Sequence, residues 1–189
     1  MKMNRAYSFP NSKTFKIKPV KEFVERNIKN CDCIVDPFAN ESKYGTITND
    51  LNPEFDTDYH LDALDFLKMF DNESVDCVLY DPPYSSRQVV ESYKGFGKEI
   101  TKETTRATWR ARHLDEIQRI LKPGGKALCF GWNSNGVGKK RGFALQEVIL
   151  VAHGGSKYDT ICTLEIKQEN SIKETSEKEE VSNDGKRIS

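Results

Sequence analysis

The run Val75-Asp76-Cys77-Val78-Leu79-Tyr80 ends abruptly at Asp81-Pro82-Pro83-Tyr84, and this junction constrains the fold more than any other feature of the chain. A short apolar run bounded by turn residues reads as a strand buried on both faces, as in a parallel sheet. Two consecutive prolines stop it there, because each lacks a backbone donor and restricts the residue before it. The corner is therefore rigid. Asp81 supplies an acidic acceptor, Pro82 a carbonyl with no local donor, and Tyr84 an aromatic ring. Open α/β sheets bind ligands at the carboxyl ends of their strands, so this corner is a candidate site.

The rest of the chain alternates strand and helix signals around it. Residues 1–14 are polar, turn at Pro10-Asn11-Ser12, and are expected to form an extended arm. Pro19 suits a first helical turn, and Val20, Phe23, Val24 and Ile28 recur at helical spacing. Cys33-Ile34-Val35 reads as a short buried strand ended by Asp36-Pro37, and residues 45–49 as a second ended by Asp50. His60-Leu61 suggests a brief strand and residues 63–70 a short helix. Residues 85–104 show no firm periodicity and read as a loop, or a short helix with a loop. Residues 105–121 predict a long helix stopped by Lys122-Pro123-Gly124-Gly125, and residues 126–132 a strand. Residues 143–151 and 160–166 predict strands that pair antiparallel. This alternation predicts an α/β fold with helices on both faces of the sheet. Beyond Lys167 the chain becomes Glu, Lys, Ser and Asn with almost no apolar residues, so residues 168–189 read as a disordered tail after a catalytic domain over 15–167.

Hydrophobic residues make up 37% of the 189, enough for one core and little more. No apolar run approaches the roughly 18 residues that would span a bilayer, and the N-terminus lacks a hydrophobic h-region, which predicts a cytoplasmic protein with no membrane partner. The five cysteines fit that setting as reduced thiols. Cys31 and Cys33 form a C-x-C pair without a second pair at ligand spacing, so no metal is expected. Net charge is zero, yet residues 1–29 carry eight Lys/Arg against two Asp/Glu, residues 30–80 two against twelve, and residues 85–160 fourteen against seven. Such alternation is compatible with a basic face for a polyanion, and equally with neutralisation across one fold.

Asp36, Asp50, Asp62 and Asp81 each stand at or near the end of a predicted strand. Any one alone reads most simply as a turn or helix-cap residue. Four together suggest a shared crevice.

At Asp81-Pro82-Pro83-Tyr84 the sequence resembles the S-adenosylmethionine-dependent amino-methyltransferases of DNA, in which a D-P-P-Y motif binds the target base. The resemblance implies a Rossmann-like class I methyltransferase fold with a mostly parallel sheet and an antiparallel terminal hairpin. It implies that Asp81 and the Pro82 carbonyl accept the amino hydrogens of adenine while Tyr84 stacks on the base, with Pro83 completing the corner. Asp36-Pro37-Phe38-Ala39-Asn40 resembles the family's first cofactor motif, with Asn40 where glycine is usual. Asn tolerates positive φ better than most residues, so the turn is expected to survive. Asp50-Leu51 resembles the acidic strand end that binds the cofactor ribose, and Asp62-Ala63 the motif that receives its adenine. The segment containing Ile17 and Lys18 resembles the one that folds over the methionine end, and Leu121-Lys122-Pro123-Gly124-Gly125 is a turn widespread in methyltransferases. Trp132 is expected either in the core or as a wall of the base pocket.

The cofactor motif precedes D-P-P-Y by only 45 residues, leaving no room between them for a target-recognition domain, and only the polar tail follows the core. The chain therefore resembles the minimal catalytic cores of phage-encoded adenine methyltransferases, with roles such as restriction-modification. Sequence choice would then come from residues 85–112, residues 133–141, a homodimer or a separate specificity partner. Arg87, Arg106, Arg110, Lys139, Lys140 and Arg141 are candidate phosphate contacts, though Lys139-Lys140-Arg141 also suits an ordinary solvated turn. The expected activity is methylation of adenine N6 in DNA. Alternatives are methylation of cytosine N4, RNA or protein glutamine, or a non-catalytic module of the same fold that binds nucleic acid or a partner.

Overall fold

A computed structural model describes residues 1–11, 13–96, 107–155 and 158–169. Strands β1 (Lys2–Tyr7), β2 (Ile34–Asp36), β3 (Ile47–Thr48), β4 (Val75–Tyr80), β5 (Leu121–Gly131), β6 (Phe143–Ala152) and β7 (Thr160–Lys167) form one seven-stranded sheet in the order β1-β6-β7-β5-β4-β2-β3. All neighbours are parallel except β7, which runs antiparallel to both β5 and β6. The helices are α1 (Lys18–Ile28), α2 (Ala63–Lys68), α3 (Ser86–Gly95) and α4 (Ala107–Ile120). No helix among the described residues is long and apolar enough to cross a membrane.

The two central strands show why helices cover both faces. Successive strand residues point to opposite sides. Cys77 and Leu79 of β4, with Leu128 and Phe130 of β5, pack under Val20, Phe23 and Val24 of α1. Val78 and Tyr80, with Ala127 and Cys129, pack under Phe66 and Leu67 of α2 and Leu114 and Ile117 of α4. Phe23 is fully buried at the α1 contact. Truncating such a ring to Ala costs about 3–5 kcal/mol, so Phe23→Ala would undo α1 docking first.

Several boundaries differ from the sequence expectation, each for a local reason. The opening residues are extended, and residues 2–7 lie on the sheet as edge strand β1, where the Asn4 amide donates to Glu147 Oε1 at 3.0 Å. β3 is only two residues long, because the Thr46 hydroxyl takes up the Ile34 N–H at 2.8 Å and replaces a ladder bond. The expected strand at His60-Leu61 reduces to a single bridge between Asn49 and Tyr59. α4 ends at Ile120, and the Lys122-Pro123-Gly124-Gly125 turn is absorbed into β5 as an irregularity in its pairing with β4. Gly125 is required there, since a Cβ would lie 2.7 Å from the Lys122 carbonyl. Within the region that lacked periodicity, α3 forms under a capping box in which Ser85 and Gln88 exchange bonds.

Candidate active site

A cleft of about 810 Å³ opens at the carboxyl ends of β2, β3 and β4. Its lining divides into a half built on β2 and β3 and a corner built on β4.

In the first half, backbone bonds fix the carboxylates. Asp36 ends β2 fully buried, with Oδ1 accepting from the Phe38 N–H at 3.2 Å and Oδ2 without a partner among the described residues. Burial pushes its carboxyl well above the usual range, the Phe38 bond opposes that, and the charges of Asp81 and Asp50 push it further up. Asp36 lies underneath the cleft rather than in its lining, and burial there disfavours its charged form. The turn that follows carries Asn40 at φ 52°, and the Asn40 N–H donates to Asp50 Oδ2 at 2.9 Å. Asp50 Oδ1 accepts from Asn52 N–H at 2.9 Å. Asn49 joins three segments, donating to the Pro37 and Leu61 carbonyls and accepting from the Leu61 N–H. Asn40 Oδ1 is buried without a partner among the described residues.

Asp62 caps α2, accepting from the Leu64 N–H at 2.9 Å through one oxygen and from the Tyr93 hydroxyl through the other. Burial, with the Asp62 bond second, raises the Tyr93 pKa, which keeps that hydroxyl a donor. The Trp109 indole N–H reaches Tyr93 at 3.3 Å, so α3 and α4 together close this side of the cleft. Behind it Phe38, Tyr80, Trp109 and His113 form an aromatic wall, with Trp109 and His113 centroids 4.3 Å apart. Burial lowers the His113 pKa to about 4, so this ring is neutral at pH 7.

The corner on β4 is held differently. Asp81 faces the cleft and receives the Tyr84 hydroxyl on Oδ1. Burial raises the Asp81 carboxyl, opposed by bonds from Tyr84 and Thr14. The Tyr84 N–H is taken by Gln88 Oε1 at 2.8 Å, which anchors the corner to the start of α3. Trp132 packs on Tyr84 edge-on, centroids 5.5 Å apart, at a position outside the cleft lining.

Thus the cleft gathers Pro37, Phe38, Ala39, Asn40, Asp50, Leu51, Asp62, Ala63 and the whole Asp81–Tyr84 motif. Of the four strand-end acids, three line it and Asp36 lies beneath. Ile17 is a buried core residue and Lys18 an exposed one at the start of α1; neither lines the cleft. The candidate phosphate contacts do not assemble there. Arg87 is exposed on α3 and paired with Glu91. Arg110 lies over the Tyr80 ring at 5.4 Å. Lys139, Lys140 and Arg141 form a turn leading into β6, whose Phe143 pairs with Lys167 at the opposite end of β7 from the pairing of Ile161 with Gly131. Arg141 is bound to Asp115 at 2.7 Å. Arg106 lies outside the described residues. Tyr93 and Trp109 were not anticipated; the S-x-x-Q capping signal at Ser85 and Gln88 marks the helix that carries Tyr93. Among the described residues no group of three or more His, Cys, Asp or Glu side chains is placed to hold a metal.

No protein-family model and no curated protein matches the sequence. Solved structures do. TrmN from Thermus thermophilus matches over 80% of this chain at a TM-score of 0.53 and 16% identity, and the chain spans about half (49%) of TrmN's length. The Burkholderia thailandensis 1,6-didemethyltoxoflavin-N1-methyltransferase, solved with bound 1,6-didemethyltoxoflavin and S-adenosylhomocysteine, matches over 80% of this chain and 78% of its own at a TM-score of 0.55 and 10% identity. A chain from the complex between the Haloferax volcanii Trm112 methyltransferase activator and a methyltransferase matches over 84% and 91% at 0.54 and 16% identity. What is shared is the fold: the chain adopts the Rossmann-like class I methyltransferase architecture, as its strand order and the antiparallel β7 also indicate.

Proposed function

We propose that this protein transfers a methyl group from S-adenosylmethionine to the exocyclic N6 amine of adenine in DNA. The observation that carries the reading is Asp81-Pro82-Pro83-Tyr84 facing the large cleft of a methyltransferase fold, with carboxylate and ring both at its lining.

The β2–β3 half fits the cofactor. Asn40 Oδ1 is an acceptor buried without a partner in a turn that lines the cleft. Asp50 has one N–H on each oxygen, and an ionised carboxylate with about four acceptor positions still has room for ribose hydroxyls. Asp50 and Asp81 both line the cleft, and their carboxylates suit a sulfonium cation. The residues that would hold the cofactor are Pro37 to Asn40, Asp50, Leu51, Asp62 and Ala63. When bound, it supplies an electrophilic methyl group. The neighbour solved with S-adenosylhomocysteine supports this assignment.

The β4 corner then prepares the acceptor. An adenine amine is a poor nucleophile because its lone pair is delocalised into the ring. Hydrogen bonds from its two hydrogens to the Asp81 carboxylate and the Pro82 carbonyl localise that pair and aim it. The Tyr84 hydroxyl occupies Asp81 Oδ1, so an incoming amine takes its place and frees the ring to lie along the base. Burial makes Asp81 a stronger base than an exposed carboxylate, suited to receive the proton the amine gives up. The base must leave the duplex first, at a cost of about a few kcal/mol. Positioning and electrostatics carry the rate, with no covalent enzyme intermediate. An acid at the first motif position favours adenine over cytosine or glutamine, which relatives of this type meet with Ser or Asn. The test is transfer of labelled methyl from S-adenosylmethionine to DNA: it should be lost in Asp81→Ala while cofactor binding persists. Binding without transfer to any nucleic acid by the wild type would refute the proposal.

A further inference from the structure

Three strands bring aromatic rings to one edge of the sheet. Tyr84 follows β4; Trp132 follows β5, whose Cys129 pairs with Tyr80; Tyr158 precedes β7, whose Ile161 pairs with Gly131. The rings form a row. Tyr84 and Trp132 lie 5.5 Å apart at 64°, and Trp132 and Tyr158 4.4 Å apart at 36°. The row starts in the cleft at Tyr84 and leaves it, since Trp132 and Tyr158 are not in the lining. Exposure rises along it, to 39% at Trp132 and 73% at Tyr158. A trio that only sealed the corner would bury its outer ring, and this one presents it to solvent. Lys13 and Lys16 line the same cleft as Tyr84 and share one carboxylate, that of Glu41. Within this charged trio two cations face one anion.

A row of rings that runs from a cleft holding cations out to solvent suits unstacked nucleotides, because every base has a face to stack and every linkage a charge to meet. We propose that Tyr84, Trp132 and Tyr158 form a stacking path for a single-stranded nucleic-acid segment. The base next to the target lies on Trp132, the following one lies against Tyr158, and Lys13 and Lys16 meet phosphates near the target. The path rests on the reading of the acceptor as a nucleobase at Asp81. It also places strand contacts at the cleft edge, at a distance from the basic turn at residues 139–141.

The test is fluorescence anisotropy of labelled single-stranded DNA and RNA of about 12 nucleotides, within the usual footprint of such surfaces. The full chain is used as wild type, Trp132→Ala, Trp132→Phe and Tyr158→Ala. Stacking at roughly 1–3 kcal/mol per base predicts about 5- to 150-fold weaker binding for Trp132→Ala, a smaller loss for Tyr158→Ala and recovery of most affinity in Trp132→Phe. An abasic nucleotide beside the target should cancel the Trp132→Ala effect. The DNA and RNA arms show which strand the path prefers. Alanine variants that bind as wild type, an equal Trp132→Ala loss on intact and abasic strands, or a wild type that binds neither strand would overturn the path. The two readings separate: methyl transfer to DNA with affinity untouched by Trp132→Ala sinks the path alone, whereas Trp132-dependent binding by an enzyme that methylates no nucleic acid sinks the acceptor reading alone.

Discussion

The two ends of the cleft hold their acids by different means. Around β2 and β3, Asp50 is bound at both oxygens by main-chain N–H groups, and Asp62 by one N–H and one phenol. At the end of β4, Asp81 is met by side chains, the Tyr84 hydroxyl and Thr14. Main-chain donors move only if the fold moves. A phenol can swing away on its own torsions. Asp50 at the first end is therefore a preformed receptor, and the second end a corner whose acceptor is covered until something replaces the phenol.

If that contrast is right, substitutions at the two ends should fail in different ways. The largest effect belongs to the corner. Asp81→Asn should lower methyl transfer by about 10²–10³-fold, the scale for removing one preorganised electrostatic contact, with little change in thermal stability. Its pH profile should change too. Burial raises the Asp81 pKa, so wild-type activity should fall on the acid side at a pH above that of an exposed carboxylate, as the protonated form accumulates, and the Asn variant should lack that limb. Steady-state rates across pH would show it. Next come the two functions of Tyr84. Tyr84→Ala removes ring and hydroxyl and should cost about 10²-fold in transfer, whereas Tyr84→Phe removes only the cover on Asp81 and should stay within about tenfold. Equal losses would mean that the phenol bond is part of the working site and not a cover.

At the preformed end the readout is stability. Asn40 sits at φ 52°, where a β-branched side chain is strained. Asn40→Val should lower stability by about 1–2 kcal/mol in denaturant melts and weaken the cofactor, while Asn40→Gly stays near wild type. The smallest effect concerns Asp36. Its folded pKa is raised, so it favours folding fully below the unfolded pKa, and that contribution is lost as pH rises towards the folded value. Asp36→Asn should therefore gain on wild type as pH rises above the unfolded carboxylate value, which denaturant melts across pH would show. A gap that is flat with pH would mean that Asp36 does not titrate differently on folding.

Legibility in the sequence followed the same division. β4, β5 and α1 are readable because packing on both sides of the sheet imposes apolar runs and a 3.6-residue stripe. The acids are readable as a set because Asp36 and Asp81 stand at strand ends, Asp50 two residues past one, and Asp62 at a helix cap. β1 was not legible as part of the sheet: its residues are almost all exposed, so no alternation marks it. Tyr93 and Trp109 escaped because they reach Asp62 from helices distant in sequence, a contact no local pattern encodes. Trp132 was read as core or pocket wall and is neither, because its surroundings are set by Tyr84 and Tyr158 from other strand ends. The glycine-containing loop after β5 carries no local signal for its contact: Gly136 is held at φ +52° against Glu165, where a Cβ would lie 2.0 Å from the carboxylate.

The central claim is that the β4 corner grips an adenine amine. Its most direct test is mass analysis of the nucleosides recovered from DNA after incubation with the full chain and S-adenosylmethionine. N6-methyladenine, absent when Asp81 is replaced by Ala, is the result this account predicts. N4-methylcytosine as the product, or N6-methyladenine that persists in Asp81→Ala, would contradict it.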